Sequence, residues 1–175
     1  MSPTVPRVVL TGPPGSGKTT VGRILADLLQ VPFRDTDSDV ERSAGKPVAD
    51  IFLDDGEPHF RALEREAVTT ALATHGGVLA LGGGAVMDPL TQDALTGYAS
   101  DGGVVVFLDV SLAGAAPRVG FNQARPLLVG NPRARWAELM AARRPTYDRL
   151  ATLRVTSDDR TARQVADQIF SEVHP

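Results

Sequence analysis

The stretch Gly12-Pro13-Pro14-Gly15-Ser16-Gly17-Lys18-Thr19-Thr20 follows, one residue on, the apolar run Val8-Val9-Leu10. Glycines and prolines crowd the turn, and a lysine and two threonines open the helical pattern that comes next. Gly12-x-x-x-x-Gly17-Lys18-Thr19 is the pattern of a phosphate-binding loop, set between a strand and a helix as that motif requires. Glycines let successive backbone N–H groups converge on an anion without Cβ obstruction, and the helix N-terminus adds its partial positive charge. Gly15, Ser16, Gly17, Lys18, Thr19 and Thr20 are therefore candidate contacts to a nucleoside triphosphate. Lys18 has the reach for the β- and γ-phosphates, and the Thr19 hydroxyl suits Mg²⁺.

Outward from the loop, Val21, Ile24, Leu25, Leu28 and Leu29 carry helical spacing from Lys18 to Leu29. A second apolar stripe, Phe60, Leu63, Ala67, Val68, Ala71 and Leu72, ends near Gly76-Gly77. Val78 to Leu81 and Val104 to Leu108 are apolar throughout rather than alternating, which predicts strands buried on both faces. Leu153 to Val155 is a weaker strand, and Val165, Ile169, Phe170 and Val173 predict a closing helix. Alternating strands and helices imply an α/β protein with a parallel sheet and helices on both faces.

Composition narrows the function classes. The 175 residues suit one domain with a single core. A formal charge of −3 argues against a general nucleic-acid binder. The absence of cysteine excludes disulfides, thiolate metal sites and thiol nucleophiles. With no apolar leader region and no apolar run long enough to span a bilayer, the expectation is a cytoplasmic protein without a membrane partner.

Phe33 to Asp39 reads FRDTDSD, placing Asp35 and Asp37 two apart after a β-type residue. In an extended segment both would face one side, one near Mg²⁺ and the other on a substrate hydroxyl. Leu81 to Val86 reads LGGGAV, so Gly82, Gly83 and Gly84 directly follow a buried strand, where ligands of open α/β sheets bind. Arg61, Arg118, Arg125, Arg143 and Arg144 add guanidinium forks suited to carboxylates and phosphates, and thus to an anionic substrate. Asp109 ends the Val104–Leu108 run in the manner of a Walker B metal ligand, but an acid ending a strand at the surface is the simpler, structural reading.

The phosphate loop, Asp35-Thr36-Asp37, Phe60-Arg61, Gly82-Gly83-Gly84-Ala85-Val86, Arg125-Pro126-Leu127-Leu128 and Arg143-x-Pro145-x-Tyr147 occur in an order that resembles the shikimate kinases, from Val8 to about Arg160. The resemblance implies a three-layer P-loop NTPase fold of the nucleoside-monophosphate-kinase type, with a five-stranded parallel sheet flanked by helices and a mobile lid. It implies one kinase domain over 1–175, with a lid at roughly 118–133 and a shikimate-binding helical region at roughly 37–66. The implied reaction moves the γ-phosphate of ATP to the 3-hydroxyl of shikimate, in aromatic amino-acid biosynthesis.

Residue by residue, Lys18, Asp37 and Arg125 resemble the catalytic set: Asp37 assists deprotonation and Arg125 swings onto the phosphates. Arg61 and Arg143 resemble the pair on the substrate carboxylate, with Gly82, Gly83 and Gly84 closing the pocket beside Asp37. Thr19 and Asp35, the latter through water, resemble the Mg²⁺ site. Arg118 and Arg160 fall where the family contacts adenine. The chain departs from the family at Pro117, before Arg118, and at Ser157–Ala162, which lacks the proline expected for adenine packing. The implied partners are ATP, as the triphosphate on the loop, and shikimate, with a monomeric enzyme. Two alternatives stay open: a gluconate-type or other small-metabolite kinase of the same fold, with altered Asp-Thr-Asp and Arg-x-Pro-x-Tyr elements, and a nucleotide-gated binding protein with no acceptor pocket.

Overall fold

The computed structural model describes residues 5–119 and 130–174. Its strands are β1 (Val8–Thr11), β2 (Phe33–Asp35), β3 (Val78–Ala80), β4 (Val105–Asp109) and β5 (Leu153–Thr156). They form one parallel sheet in the order β2-β3-β1-β4-β5. The helices are α1 (Lys18–Leu29), α2 (Thr36–Ala44), α3 (Val48–Asp55), α4 (Glu57–Thr74), α5 (Pro89–Ser100), α6 (Leu112–Val119), α7 (Pro132–Leu150) and α8 (Ala162–Val173), with a 3₁₀ turn at Ala85–Met87.

The central strands are apolar throughout because both faces are covered. Val9, Leu79 and Phe107 pack with residues of α4, α5 and α7 on one face. Val8, Leu10, Val78, Val106 and Leu108 pack with residues of α1 and α8 on the other. A smaller cluster of Val40, Ile51 and Phe60 holds α2, α3 and α4 together beside the sheet. Strand β1 pairs with β3 on one side and β4 on the other. The strand order therefore reverses at β1, which puts the phosphate loop at the switch point where open α/β sheets bind ligands.

One local expectation is corrected. The segment from Phe33 to Asp39 is not extended throughout: β2 ends at Asp35 and α2 begins at Thr36. Asp35 is the helix N-cap, its side chain accepting the Asp37 N–H at 2.9 Å, and Asp37 and Asp39 occupy the first turn. An acid that can cap, followed by acids favoured by the helix dipole, wins over continued strand.

Candidate active site

The phosphate loop needs its glycines. Gly12, Gly15 and Gly17 have φ of 145°, 83° and 94°, values that L side chains rarely adopt. A methyl group on Gly15 would also lie 2.7 Å from Val119 Cγ2, so the loop packs hard against α6. Helix α1 starts behind Gly17 with no side-chain cap and no acid in its first turn. Its positive end is thus left for an external anion. Lys18 Nζ lies over the loop, 2.7 Å from the Gly12 carbonyl and 3.1 Å from that of Pro13. Ser16 is fully buried in the loop, and its Oγ has no hydrogen-bond partner.

The other expected nucleotide residues gather here. Thr19 and Thr20 are exposed at the start of α1, and the Thr19 hydroxyl donates to Asp35 Oδ2 at 3.0 Å. Arg118 donates to the Gly15 carbonyl at 3.3 Å and to Ser157 through both terminal nitrogens. Arg160 is tied to the Thr156 and Gln164 carbonyls at 3.1 and 3.2 Å. Arg118 and Arg160 rim a cavity of about 310 Å³ beside Ser16, Gly17 and Thr20, with Val21, Ala162 and Val165 as its apolar lining. Pro117 lies inside α6, where it removes the amide that would bond the Ala113 carbonyl.

A second group of side chains converges on the glycines after β3. A methyl group on Gly82 would meet Asp37 Oδ1 at 2.7 Å and Glu64 Oε2 at 2.8 Å. One on Gly84 would meet both terminal nitrogens of Arg61 at 2.6 Å and Arg143 Nη2 at 2.9 Å. One on Gly83 would touch Arg143 Nη1 and Pro14 Cδ at 3.3 Å, so this turn abuts the phosphate loop. Only glycine leaves room for two guanidinium groups and a carboxylate to share this space. The Gly82 N–H donates to the buried Thr36 hydroxyl at 3.2 Å, fixing the turn to the start of α2. Tyr147, buried and stacked on Phe107, donates its hydroxyl to the Gly83 carbonyl in a short bond.

Charge in this group is unequal. Arg61 donates to buried Glu64 at 2.7 Å and leans on Glu57 at the surface. Arg143 is also buried. Burial raises the Glu64 carboxyl above its usual value, even against the pull of Arg61 and Arg143. Burial, then the neighbouring Asp35 and Glu64 carboxylates, push Asp37 up to about 6, with Lys18 pulling the other way. A carboxylate so placed is a base poised near neutrality.

That placement costs stability, with a definite sign. A carboxyl whose folded value is raised stabilises the fold when protonated, fully below about pH 4, and that contribution is lost as pH rises through about 6. Asp37→Asn should therefore be more stable than the parent at pH 8, by about 1–3 kcal/mol, and lose that advantage near pH 4. Urea unfolding at both pH values reads this directly. Equal stability differences at the two would show that Asp37 carries no strained charge.

Asp109 is structural, as its place at a strand end suggests. It accepts two bonds from Arg144, at 3.0 and 2.9 Å, and others from Arg154. Burial works to raise its pKa, but these hydrogen bonds outweigh it and hold the carboxyl below its usual range. Arg144 is thereby turned away from Arg143 and fastens α7 to β4.

The structure thus brings Lys18, Thr19, Asp35, Asp37, Arg61, Gly82, Gly83, Gly84 and Arg143 close together. Arg125 lies outside the described residues, as do Gly120 and Asn122 of the expected lid. Two site residues were missed by the sequence reading. Glu64 sits three residues after Arg61, a helical spacing that pairs them, and was legible in principle. Trp136, which donates to the Pro14 carbonyl at 2.9 Å, carries no local signal.

The family model described as shikimate kinase matches residues 14–174. A shikimate kinase of Salinispora arenicola is 56% identical over 164 residues, covering 94% of this chain and 95% of that protein. One from Thermobifida fusca is 53% identical over 168 residues, covering 96% and 95%. Among solved structures, shikimate kinase from Acinetobacter baumannii in complex with shikimate superposes with a TM-score of 0.89 at 34% identity, covering 97% of this chain and 93% of that one.

Proposed function

This chain belongs to the shikimate kinase family, and we infer from that membership that it transfers the γ-phosphate of ATP to the 3-hydroxyl of shikimate, releasing ADP and shikimate 3-phosphate. The observation that carries the assignment of roles is the convergence of Arg61 and Arg143 on Gly84, beside Asp37 and against the phosphate loop. Two guanidinium groups sharing a partly buried turn form a seat for one carboxylate, since planar forks bind it bidentately. A substrate acid seated there presents its ring hydroxyls toward Asp37. Asp37 orients the acceptor hydroxyl and takes its proton. Lys18 leaves the loop carbonyls for the transferring phosphate, where its charge offsets that of the oxygens. Glu64 holds Arg61 in place and keeps the pocket from being uniformly cationic.

The residues fit a nucleotide-borne Mg²⁺. Thr19 and Asp35 offer adjoining hard oxygen donors at the phosphate-loop helix, and among the described residues no group of three or more acidic or imidazole ligands could hold a metal alone. That is the donor set of an ion shared with phosphates and water. Bound Mg²⁺ supplies charge neutralisation on the β- and γ-oxygens. The Arg118–Arg160 cavity suits the base and ribose of the nucleotide, its apolar lining taking the ring face in place of the missing proline. The segment 118–133 serves as the lid carrying Arg125, within a single domain spanning 1–175, and excludes water as a competing acceptor. We read the enzyme as a cytoplasmic monomer. No helix among the described residues is long and apolar enough to cross a membrane.

A coupled ADP-release assay across shikimate, gluconate and nucleoside monophosphates tests this reading. ADP release should depend on shikimate and be near background with the others. Turnover of gluconate or a monophosphate at a comparable rate would reassign the acceptor, and nucleotide binding without any turnover would leave a binding protein.

A further inference from the structure

Helix α7 buries one face, formed by Trp136, Met140, Arg143, Tyr147 and Leu150 at intervals of four, three, four and three residues. Two donors on that face end on backbone carbonyls of two different loops. Trp136 Nε1 bonds the Pro14 carbonyl of the phosphate loop at 2.9 Å. Tyr147 Oη bonds the Gly83 carbonyl of the glycine turn. The two donors are three helical turns apart, roughly 16 Å along the axis. Both rings are almost fully buried, so neither bond is exchanged cheaply for one to water. Phe107 of β4 stacks on the Tyr147 ring at 5.0 Å, and Arg144 locks to Asp109 at the end of the same strand, so the helix cannot slide along the sheet.

We propose that α7 is a brace between the two substrates, with Trp136 and Tyr147 as positioning residues that set the phosphate loop and the glycine turn at their reactive spacing. The proposal rests on the kinase reading for its catalytic consequence, not for its geometry. Neither side chain need touch a reacting atom. Each fixes a loop that does, one on the donor side and one on the acceptor side. A misplacement of this kind acts chiefly on the approach of hydroxyl to phosphate, where an error of about 1 Å costs on the order of 100-fold.

The test compares Tyr147→Phe, Trp136→Phe and the double variant, each keeping an aromatic ring in the core. With both substrates saturating, kcat should fall about 10- to 100-fold in each single variant. The dissociation constant for ATP alone should stay within about three-fold in every variant, and that for shikimate alone within about three-fold in Trp136→Phe. The Tyr147 hydroxyl also bonds Arg143, so Tyr147→Phe is read by its rate at saturation. The double variant should be little worse than the poorer single, because both bonds serve one spacing. A kcat within two-fold of the parent, with only the melting temperature lowered, would overturn the proposal, and so would losses that multiply in the double variant. If the parent does not turn over shikimate, the kinase reading fails, and the brace is then judged by amide hydrogen exchange in the unliganded protein. Faster exchange over 12–17 in Trp136→Phe and over 82–85 in Tyr147→Phe supports it, whereas unchanged exchange rejects it.

Discussion

Lys18→Met is expected to abolish measurable turnover, a loss of about three orders of magnitude or more, while the protein still folds. The substitution keeps the aliphatic stem and removes the cation. In the fold that cation bonds the Gly12 and Pro13 carbonyls of its own loop. The methionine therefore disturbs a turn rather than the core, and circular dichroism and the melting temperature should stay close to those of the parent. Among the described residues the neighbouring cation Arg118 is tied to Gly15 and Ser157 and α1 contributes only a dipole, so neither takes over that charge. Kinase activity near that of the parent would remove Lys18 from the phosphates and with it the reading of the loop.

Asp37→Asn is expected to lower kcat by about 100- to 10,000-fold, the usual range for losing a positioned general base. Asparagine preserves shape beside Gly82 but neither accepts the hydroxyl proton nor carries charge. ATP affinity should change little, since Asp37 faces the acceptor side. In the parent, kcat/KM for shikimate should rise with pH through about 6 as Asp37 ionises and then level off. In the variant that limb should vanish. Turnover of Asp37→Asn within a few-fold of the parent would make the residue a pocket wall. Together with the stability gain expected at pH 8, a rate loss would mark Asp37 as a charge kept for chemistry at the expense of the fold.

The central sheet and the phosphate loop were legible because their signals are local. Helix α1 begins at Lys18 and ends at Leu29 as its apolar spacing predicts, and β3 and β4 fall on the two unbroken apolar runs. The turn into α2 is not legible in local spacing, since the Asp-Thr-Asp pattern serves an exposed strand and a capped helix equally well until β2 is seen to end at Asp35; only the resemblance pointed to a helical region from about 37. Helix α7 escaped for a different reason. Its buried face includes Arg143 and Tyr147, whose partners lie some 60 residues away in the glycine turn, so no apolar stripe announces it. Asp37, Arg61 and Arg143 were candidates by residue type and spacing, and their expected roles came from ordered resemblance. Their spacing alone would not have placed two guanidinium groups on one glycine. Arg144 shows the limit from the other side: adjacent to Arg143 and chemically identical, it is bound to Asp109 and holds the scaffold.

On the reading proposed here, Arg143, with Arg61, seats the carboxylate of the acceptor. The most direct measurement is kcat/KM for shikimate and for its methyl ester, on the parent and on Arg143→Lys. Lysine keeps the charge but loses the fork, and a desolvated charge-assisted contact is worth about 1.5–3 kcal/mol, or roughly 10- to 150-fold. The parent should prefer the acid strongly, and Arg143→Lys should cut activity toward the acid by that factor while leaving the ester nearly unchanged, with ATP affinity constant. If the substitution lowered acid and ester alike, Arg143 would not be holding the carboxylate.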